Sequence, residues 1–368
     1  MANISSEGIL NLLRQVIDPD LRKDIVTLNM VKNLKVDDSS VSFTVELTTP
    51  ACPLKDKIKE DCINIIKKNY PAVKDIQVEM TSKVRASSAS VKNSILPGVK
   101  NTIAVASGKG GVGKSTVAAN LALALAKQGA KVGLIDADIY GPSIPMMLGI
   151  QQKPKIYQDT KTAKMVPLEN YGIKLMSIGF LIDDDAPVIW RGPMASGAIK
   201  QFMSDVLWEE LDYLLFDLPP GTGDIQLTLV QTIPLSGAVV VTTPQDVSLI
   251  DVRKAIKMFM RVNVPVLGVI ENMSYFIAPD TGKRYDIFGQ GGGERLAKEM
   301  GVPLLGSIPI DPRIREGSDK GKPIVVDMPQ AKESEIIMNI SKNLAAQISI
   351  NNINSALSKV EILIDQDN

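Results

Sequence analysis

The sequence predicts an α/β protein in which a mostly parallel sheet is flanked by helices, preceded by a small α+β domain. From Val99 onward, short runs of Val, Ile and Leu recur, and such continuous apolar runs suit strands that are buried on both faces. Helical segments separate most of these runs, which indicates right-handed βαβ crossovers in a parallel sheet. The first 80 residues instead alternate shorter helical and strand patterns, which predicts a separate α+β unit.

Residues 1–80 are predicted to form the small domain. Helical apolar spacing in EGILNLLRQVI predicts a first helix that ends around Pro19. VKNLKV and VSFTVELTT predict two strands joined by the turn-rich DDSS. LKDKIKEDCINIIKKNY predicts a helix, and VKDIQVEM predicts a third strand. Residues 81–98 are polar, serine-rich and aperiodic, so we expect an interdomain linker there.

The larger domain is predicted to span residues 99–350. Its expected strands are TIAVAS, KVGLIDAD, YLLFDLP, AVVVTTP, VLGVIEN and LLGSIP. The segment ESEIIMNISKNLAAQIS predicts the last helix. Residues 351–368 are expected to form a C-terminal tail, which lacks the basic face of a membrane-docking helix.

The composition excludes several classes of function. Lys plus Arg and Asp plus Glu both number 41 in 368 residues, so we expect neither a nucleic-acid nor a membrane partner. The absence of histidine excludes imidazole catalysis and His-based metal sites. Cys52 and Cys62 are the only cysteines, and we find no signal-peptide pattern or apolar run of transmembrane length. A cytoplasmic protein in a reducing compartment is therefore expected.

The stretch ASGKGGVGKST fits the phosphate-binding pattern G-x-x-x-x-G-K-[ST] between a predicted strand and a helix. Its backbone N–H groups and the positive end of the helix would bind phosphate oxygens. We expect Lys114 to neutralise the β and γ oxygens of a nucleotide, and Ser115 to hold Mg²⁺. The candidate nucleotide-binding residues of this phosphate loop are Gly108, Lys109, Gly110, Gly111, Val112, Gly113, Lys114, Ser115 and Thr116.

Three aspartates follow predicted strands at the carboxyl edge of the sheet, where open α/β sheets bind ligands. Asp136 and Asp138 in LIDADIYGPS occupy alternate positions of an extended segment and therefore share one face. Asp217 ends the apolar run of YLLFDLPPGTGD, a Walker B pattern whose aspartate binds Mg²⁺ through water. For each aspartate, a helix N-cap or turn role is the alternative, and the spacing by itself favours it.

The heptapeptide KGGVGKS resembles the deviant Walker A loop of the MinD/Mrp/nitrogenase-iron-protein class of P-loop ATPases. This resemblance implies that Lys109 reaches the phosphates of a partner's nucleotide across a two-fold interface. A cation there would offset charge that develops on the transferred phosphoryl group, as an arginine finger does. ATP would then close a homodimer, and hydrolysis would need two chains. The alternative is that Lys109 is a solvated loop lysine.

The same resemblance implies roles for residues outside the loop. Asp138 would orient the attacking water, and Asp136 would support the metal indirectly. Asn272 in VIENMSYF would recognise adenine, since an amide both donates and accepts hydrogen bonds. Arg191 in VIWRGPM is a candidate phosphate or interface contact, and a loop arginine stacked near the preceding tryptophan explains it equally well.

Resemblance extends over nearly the whole chain. ELTTPACPLKD resembles the signature of the MIP18 domain, and SGKGGVGKST, DADIYGPS, RGPM, DLPPGTGD and ENMSYF…IFGQGGG resemble, in order, the Mrp/ApbC family of iron–sulfur cluster carriers. The resemblance implies a P-loop NTPase fold and a cytoplasmic homodimer that hydrolyses ATP slowly. It also implies that the protein receives clusters, expected to be [4Fe–4S], from a donor and passes them to apoproteins.

The sequence departs from that family where many members carry Cys-x-x-Cys, which lets two chains bridge one cluster with four thiolates. Here Ala278 and Thr281 occupy those positions, and neither can ligate iron. The remaining soft ligands are the two cysteines. Cys52 in the turn TPACP is the candidate cluster ligand, whereas the helical spacing of Cys62 favours a buried core position.

Two other functions stay open at this point. One is an ATP-switched scaffold or partitioning ATPase of the MinD class that holds no cluster. The other is a small-molecule kinase that uses the same loop. The first usually adds a membrane helix or a basic DNA-binding surface, and the second needs an acceptor pocket; neither is visible in the sequence. The MIP18-like domain favours a cluster carrier.

Overall fold

The computed structural model describes residues 4–364 apart from residues 20, 38, 92–94, 159–162 and 182–191. The candidate Arg191 therefore lies outside the described residues. The chain forms two compact units, Met1–Arg85 and Ala86–Asn368. Among the described helices, none combines the length and apolarity needed to cross a membrane.

The first unit contains a three-stranded sheet and two helices. Its elements are α1 (Ser6–Leu13), β1 (Ile17–Asp18), β2 (Lys23–Asp24), β3 (Val31–Val36), β4 (Ser40–Leu47), α2 (Lys55–Asn69) and β5 (Asp75–Ser82). Strand β4 is central, antiparallel to β3 and parallel to β5. The first helix ends earlier than predicted because β1 pairs with β2 in a short hairpin before and after Pro19. Helix α2 buries Ile58, Cys62 and Ile66, one face of its amphipathic pattern.

The second unit holds the remaining elements. In chain order they are α3 (Ser88–Val91), β6 (Val99–Ser107), α4 (Lys114–Lys127), β7 (Val132–Asp136), α5 (Ile144–Met147), β8 (Ile156–Gln158), β9 (Ala163–Met165), β10 (Leu168–Asn170), β11 (Ile173–Ser177), α6 (Gly192–Ser204), β12 (Leu211–Asp217), α7 (Asp224–Thr232), β13 (Gly237–Thr242), α8 (Asp246–Arg261), β14 (Val266–Glu271), β15 (Phe276–Ile277), β16 (Arg284–Tyr285), α9 (Gly292–Met300), β17 (Leu304–Ser307), α10 (Pro312–Asp319), α11 (Ile324–Asp327) and α12 (Lys332–Ile364).

Eight strands of this unit form one sheet in the order β10-β11-β7-β12-β6-β13-β14-β17. All neighbours in it are parallel except the edge pair β10 and β11. The six strands predicted from apolar runs lie side by side from β7 to β17, which confirms the predicted α/β class. Strand β6 lies inside the sheet, and eight of its nine residues are buried, so the phosphate loop starts from a rigid support.

The predicted linker and the predicted C-terminal tail both contain ordered elements. Helix α12 runs to Ile364, so residues 351–364 continue the last helix instead of forming a separate tail. In the predicted linker, β5 extends to Ser82 and α3 spans Ser88–Val91. The Ser87 N–H donates to the Lys100 carbonyl oxygen at 2.9 Å. These polar residues look like a linker in the sequence because their hydrogen-bond partners are distant along the chain.

Candidate functional site

The phosphate loop connects β6 to α4 at the carboxyl edge of the sheet. Gly111 and Gly113 both have φ of 78°, a left-handed conformation that favours glycine. A Cβ on Gly113 would lie 2.3 Å from the Asn272 Nδ2, and one on Gly108 would lie 2.4 Å from the backbone carbon of Asp251. A Cβ on Gly111 would meet nothing within 4 Å. The loop therefore packs tightly at its two ends and is open in the middle.

Lys114, the first residue of α4, is 5% exposed. Its Nζ lies 2.6 Å from Asp217 Oδ1 and 3.2 Å from Asp138 Oδ2, and it also donates to Ser115 Oγ at 3.3 Å. Burial disfavours the charged ammonium, but the charges of Asp217 and Asp138 outweigh burial and raise the pKa of Lys114. The structure therefore brings together three of the predicted catalytic and metal residues around one buried cation.

Asp136 and Asp217 end the neighbouring strands β7 and β12, where they are register partners, and both side chains are fully buried. Burial, together with the charge of Asp217, raises the pKa of Asp136 to about 8, although hydrogen bonds from Ser177 and Ile144 oppose the shift. Burial also raises the pKa of Asp217, against the nearby ammonium of Lys114. Burial and the neighbouring carboxylate of Asp217 thus favour the protonated form of Asp136.

The oxygen atoms around Lys114 fit a magnesium ion. Asp138 Oδ1 and Asp217 Oδ2 are buried and have no hydrogen-bond partner within the described part of the chain. Such oxygens are costly to bury without a partner, and carboxylate and hydroxyl oxygens are the ligands that Mg²⁺ prefers. Asp136 differs, because its Oδ1 accepts from the Asp138 N–H and its Oδ2 from Ile144 and Ser177. An indirect role for Asp136, as predicted, stays consistent with these bonds.

Asn272 follows β14 and contacts the phosphate loop, where its Nδ2 donates to the Val112 carbonyl oxygen at 2.9 Å. Together with Gly113 and Thr116 it lines a cavity of about 570 Å³. Most of the remaining lining is apolar and includes Met273, Ile287, Phe288, Ile310 and Ile314. An apolar cavity with few polar groups, next to a phosphate-binding loop, is of the kind that holds a nucleoside.

The cavity contains residues that the sequence analysis did not identify. Ile287 and Phe288 belong to the connection between β16 and α9, Ile310 lies in the segment that leads into α10, and Ile314 lies in α10 itself. No local pattern marks these residues, because they converge only when distant loops fold onto the same sheet edge. The PID tripeptide before α10 was the available signal, since turn residues after a parallel strand lie at the ligand-binding edge.

Lys109 is half-buried in the phosphate loop, and its carbonyl oxygen accepts from Ser107 Oγ at 2.9 Å. Within the described ranges, its ammonium forms no ion pair of the kind that fixes Lys114. Its role across an interface between two chains stays a prediction.

Cys52 and Cys62 both belong to the first unit. Burial, and then the charge of Asp61, raises the pKa of Cys62 to about 12, so this thiol stays protonated in the core. Cys52 is partly exposed in the turn before α2. Across residues 4–364, leaving aside the ranges not described, no three Cys, Asp or Glu side chains are grouped to hold a metal ion.

Ala278 and Thr281 lie in the connection between β15 and β16. The Ala278 N–H donates to the Lys283 carbonyl oxygen at 2.9 Å, and the Gly282 N–H donates to the Ala278 carbonyl oxygen at 2.8 Å. Backbone hydrogen bonds thus close the turn that contains these two positions.

Comparison with known proteins covers both units. Residues 98–345 match the family model described as NUBPL iron-transfer P-loop NTPase, and residues 6–80 match the model described as iron-sulfur cluster assembly protein. The iron-sulfur cluster carrier protein of Synechocystis sp. is 50% identical over 349 residues, which is 94% of this chain and 99% of that protein. The protein of the same name from Deinococcus radiodurans is 46% identical over 358 residues, 97% of this chain and all of that protein.

A solved structure of the nucleotide-binding protein from Archaeoglobus fulgidus, in complex with ADP, is 42% identical. It covers 65% of this chain and 92% of its own, with a TM-score of 0.56. The family match confirms the resemblance to the Mrp-type carriers and the P-loop NTPase fold. This chain belongs to the NUBPL iron-transfer P-loop NTPases, the family of the iron–sulfur cluster carrier proteins.

Proposed function

We propose that this protein is a homodimeric ATPase that carries iron–sulfur clusters from a donor to apoproteins in the cytosol. The contacts of Lys114 with Asp138 and Asp217 support the proposed ATP binding, because they place a cation and two carboxylates beside a phosphate-binding loop. The proposed transfer of iron–sulfur clusters is supported by the names of the relatives, which are iron–sulfur cluster carrier proteins. A content of only two cysteines in 368 residues suits a reducing compartment.

Lys114 does the first step of the proposed ATP reaction. As phosphate oxygens enter the loop, they compete with the two carboxylates for the Lys114 ammonium, and the loop N–H groups bind them at the same time. Release of Lys114 leaves Asp138 and Asp217 with more free oxygens. Ser115 and Asp217 would hold Mg²⁺, which neutralises charge on the β and γ phosphates. Asp138 then orients the attacking water.

The adenosine part of ATP would occupy the 570 Å³ cavity. The Asn272 amide nitrogen already donates to the Val112 carbonyl oxygen, which leaves the amide oxygen as an acceptor for the amino group of adenine. The same contact ties base recognition to the loop that binds the phosphates.

The proposed dimer rests on Lys109. Its ammonium has no carboxylate partner in the described part of its own chain, and it extends from the loop at which phosphoryl transfer would take place. A lysine contributed by each chain to the nucleotide of the other would stabilise the transition state only when two ATP-bound chains meet. Slow hydrolysis by a single chain follows from this arrangement.

Cluster binding in this chain would use Cys52. Two Cys52 thiolates, one from each chain, fill only two of the four positions of a [4Fe–4S] cluster, so small thiols in solution would fill the others until a recipient protein replaces them. Such a labile site suits a carrier, because the recipient thiolates then compete directly for the cluster.

Anaerobic reconstitution of the full-length protein tests this proposal. We expect wild type and Cys62→Ala to hold iron and sulfide and Cys52→Ala to lose most of both, since Cys62 is buried and protonated. Equal iron and sulfide in wild type and Cys52→Ala would remove Cys52 as a ligand. An ATPase that acquires no iron in any variant would instead be an ATP-switched scaffold.

A further inference from the structure

The connection between β14 and α9 contains a short β-hairpin, and we name residues 275–291 the hairpin segment. It contains β15 and β16, and it includes the positions of Ala278 and Thr281. Several of its large apolar side chains are exposed: Ile277, Tyr285, Ile287 and Phe288. Exposed apolar side chains close together indicate a surface that something covers.

One buried carboxylate holds both ends of the hairpin segment. Glu271, the last residue of β14, is 3% exposed. Its Oε1 accepts from the Ser274 hydroxyl at 2.5 Å, and its Oε2 accepts from the Gly293 N–H at 2.5 Å. Ser274 precedes the segment and Gly293 follows it, so Glu271 fixes the distance between the two ends.

The packing at α9 leaves this contact little freedom. A Cβ on Gly293 would lie 2.9 Å from the Glu271 Cβ, and a Cβ on Gly292 would lie 2.3 Å from the Pro244 carbonyl oxygen. The N-terminus of α9 can therefore approach the end of β14 only with glycine at these positions. The partial positive charge of that N-terminus also favours the Glu271 carboxylate.

The far side of the hairpin segment reaches the nucleotide cavity. Ile287 and Phe288 line it together with Asn272 and Gly113, although their side chains are 56% and 36% exposed. Asn272 is the chain neighbour of Glu271, so the same strand end holds the hairpin segment and contacts the phosphate loop. A flat aromatic or apolar wall in such a cavity is the surface on which a purine base stacks.

We propose that Phe288, with Ile287 beside it, is the base-contacting wall of the nucleotide site, and that Glu271 is the positioning residue that holds this wall in place. This inference rests on the proposed ATP binding. The occupant of the exposed apolar surface at Phe288 is then the adenine base, since the cavity is continuous with the loop that binds the phosphates.

The first test compares Phe288→Ala with Ile277→Ala, which removes a similarly exposed apolar side chain of the same hairpin segment outside the cavity. Dissociation constants are measured for Mg·ATP and for Mg·tripolyphosphate, which has no base. We expect Phe288→Ala to weaken ATP binding about tenfold, a typical loss for one base–aromatic contact, with tripolyphosphate unchanged. The KM for ATP should rise by the same factor with kcat constant, because a base contact is equal in the ground and transition states. Ile277→Ala should change none of these values.

The second test addresses Glu271. Glu271→Ala leaves the Ser274 hydroxyl and the Gly293 N–H without their acceptor, so we expect the same ATP-specific loss as in Phe288→Ala. Glu271→Gln keeps an amide oxygen for Gly293 and should restore ATP binding to within about threefold of wild type, because one neutral hydrogen bond replaces a charged one.

Three results would overturn the inference: unchanged ATP binding in Phe288→Ala, equal losses for ATP and tripolyphosphate, or wild type that binds both probes equally well. A Glu271→Ala variant that binds ATP normally would remove the positioning role. Failure of the proposed function looks different, because wild type would then bind neither probe.

Discussion

Replacement of Asp136 by asparagine offers a direct test of the electrostatics at the sheet edge. Asp136 is fully buried beside Asp217, and its pKa is raised to about 8. Asparagine has nearly the shape of the protonated acid, but its single oxygen can replace only one of the two carboxylate oxygens, which accept separately from the Asp138 N–H and the Ile144 N–H. The change therefore removes the titration at the cost of at least one hydrogen bond, and this cost is the same at every pH of the comparison.

The expected magnitude follows from proton linkage. In the unfolded chain an aspartate ionises near pH 4, so between about pH 4 and pH 8 the folded state binds one proton more than the unfolded state. The free energy of unfolding therefore falls as the pH rises through this window, by about 1.4 kcal/mol per pH unit, and levels off above pH 8. From pH 6 to pH 8, wild type should lose about 2 kcal/mol that Asp136→Asn does not lose.

Urea unfolding at pH 6, 7 and 8, with a metal chelator and without nucleotide, measures this difference. Trp208 is buried in the second unit, so the change of its fluorescence follows the unfolding of the unit that contains Asp136. Asp217 is present in both proteins, but its titration is linked to that of Asp136, because the charge of each acts on the other carboxyl group. The comparison therefore reports the coupled pair with and without a titratable group at position 136. Parallel changes of stability with pH in wild type and Asp136→Asn would refute the raised pKa.

Three further substitutions address single steps of the proposed reaction. Lys109→Ala should bind ATP normally but lose most hydrolysis and ATP-linked dimerisation, as measured by phosphate release and sedimentation; wild-type turnover would contradict the role of Lys109 across the interface. Asp138→Ala should retain bound ATP and hydrolyse it at least about a hundredfold more slowly, and substantial turnover would assign the attacking water to another residue. Gly113→Ala places a Cβ 2.3 Å from Asn272 Nδ2 at a φ of 78° and should cost about 1–3 kcal/mol of stability as well as nucleotide binding. Gly172→Ala, at a φ of 79° with no atom within 4 Å and outside the phosphate loop, serves as the matched control and should leave nucleotide binding unchanged.

The fold was predictable wherever burial was continuous along the chain. The six strands from β7 to β17 are nearly all apolar, because helices cover both faces of the sheet. The sequence analysis did not predict strand β11, because Lys174 interrupts its apolar run. In the structure the Lys174 ammonium forms an ion pair with Glu209 at 2.7 Å. The short strands β8, β9 and β10 have too few residues for a periodic pattern.

The site was predictable where its chemistry is local. The phosphate loop is one continuous motif, so the positions of Gly108 and Lys114 could be assigned from spacing. The contact of Lys114 with Asp217 joins residues that are far apart in sequence, and only the common edge of a parallel sheet suggested it. Glu271 and Phe288 carried no such signal, since their importance depends on where the hairpin segment meets the cavity.

The absence of cysteines at positions 278 and 281 leaves the fold of the hairpin segment intact. The turn that contains Ala278 and Thr281 is closed by backbone hydrogen bonds, and the ends of the hairpin segment are held by Glu271, so no thiolate is needed to maintain this shape. The shape of this turn therefore does not depend on thiolates at positions 278 and 281. Because histidine is absent and burial raises the pKa of Cys62 to about 12, Cys52 is the cysteine from which we expect a thiolate for iron.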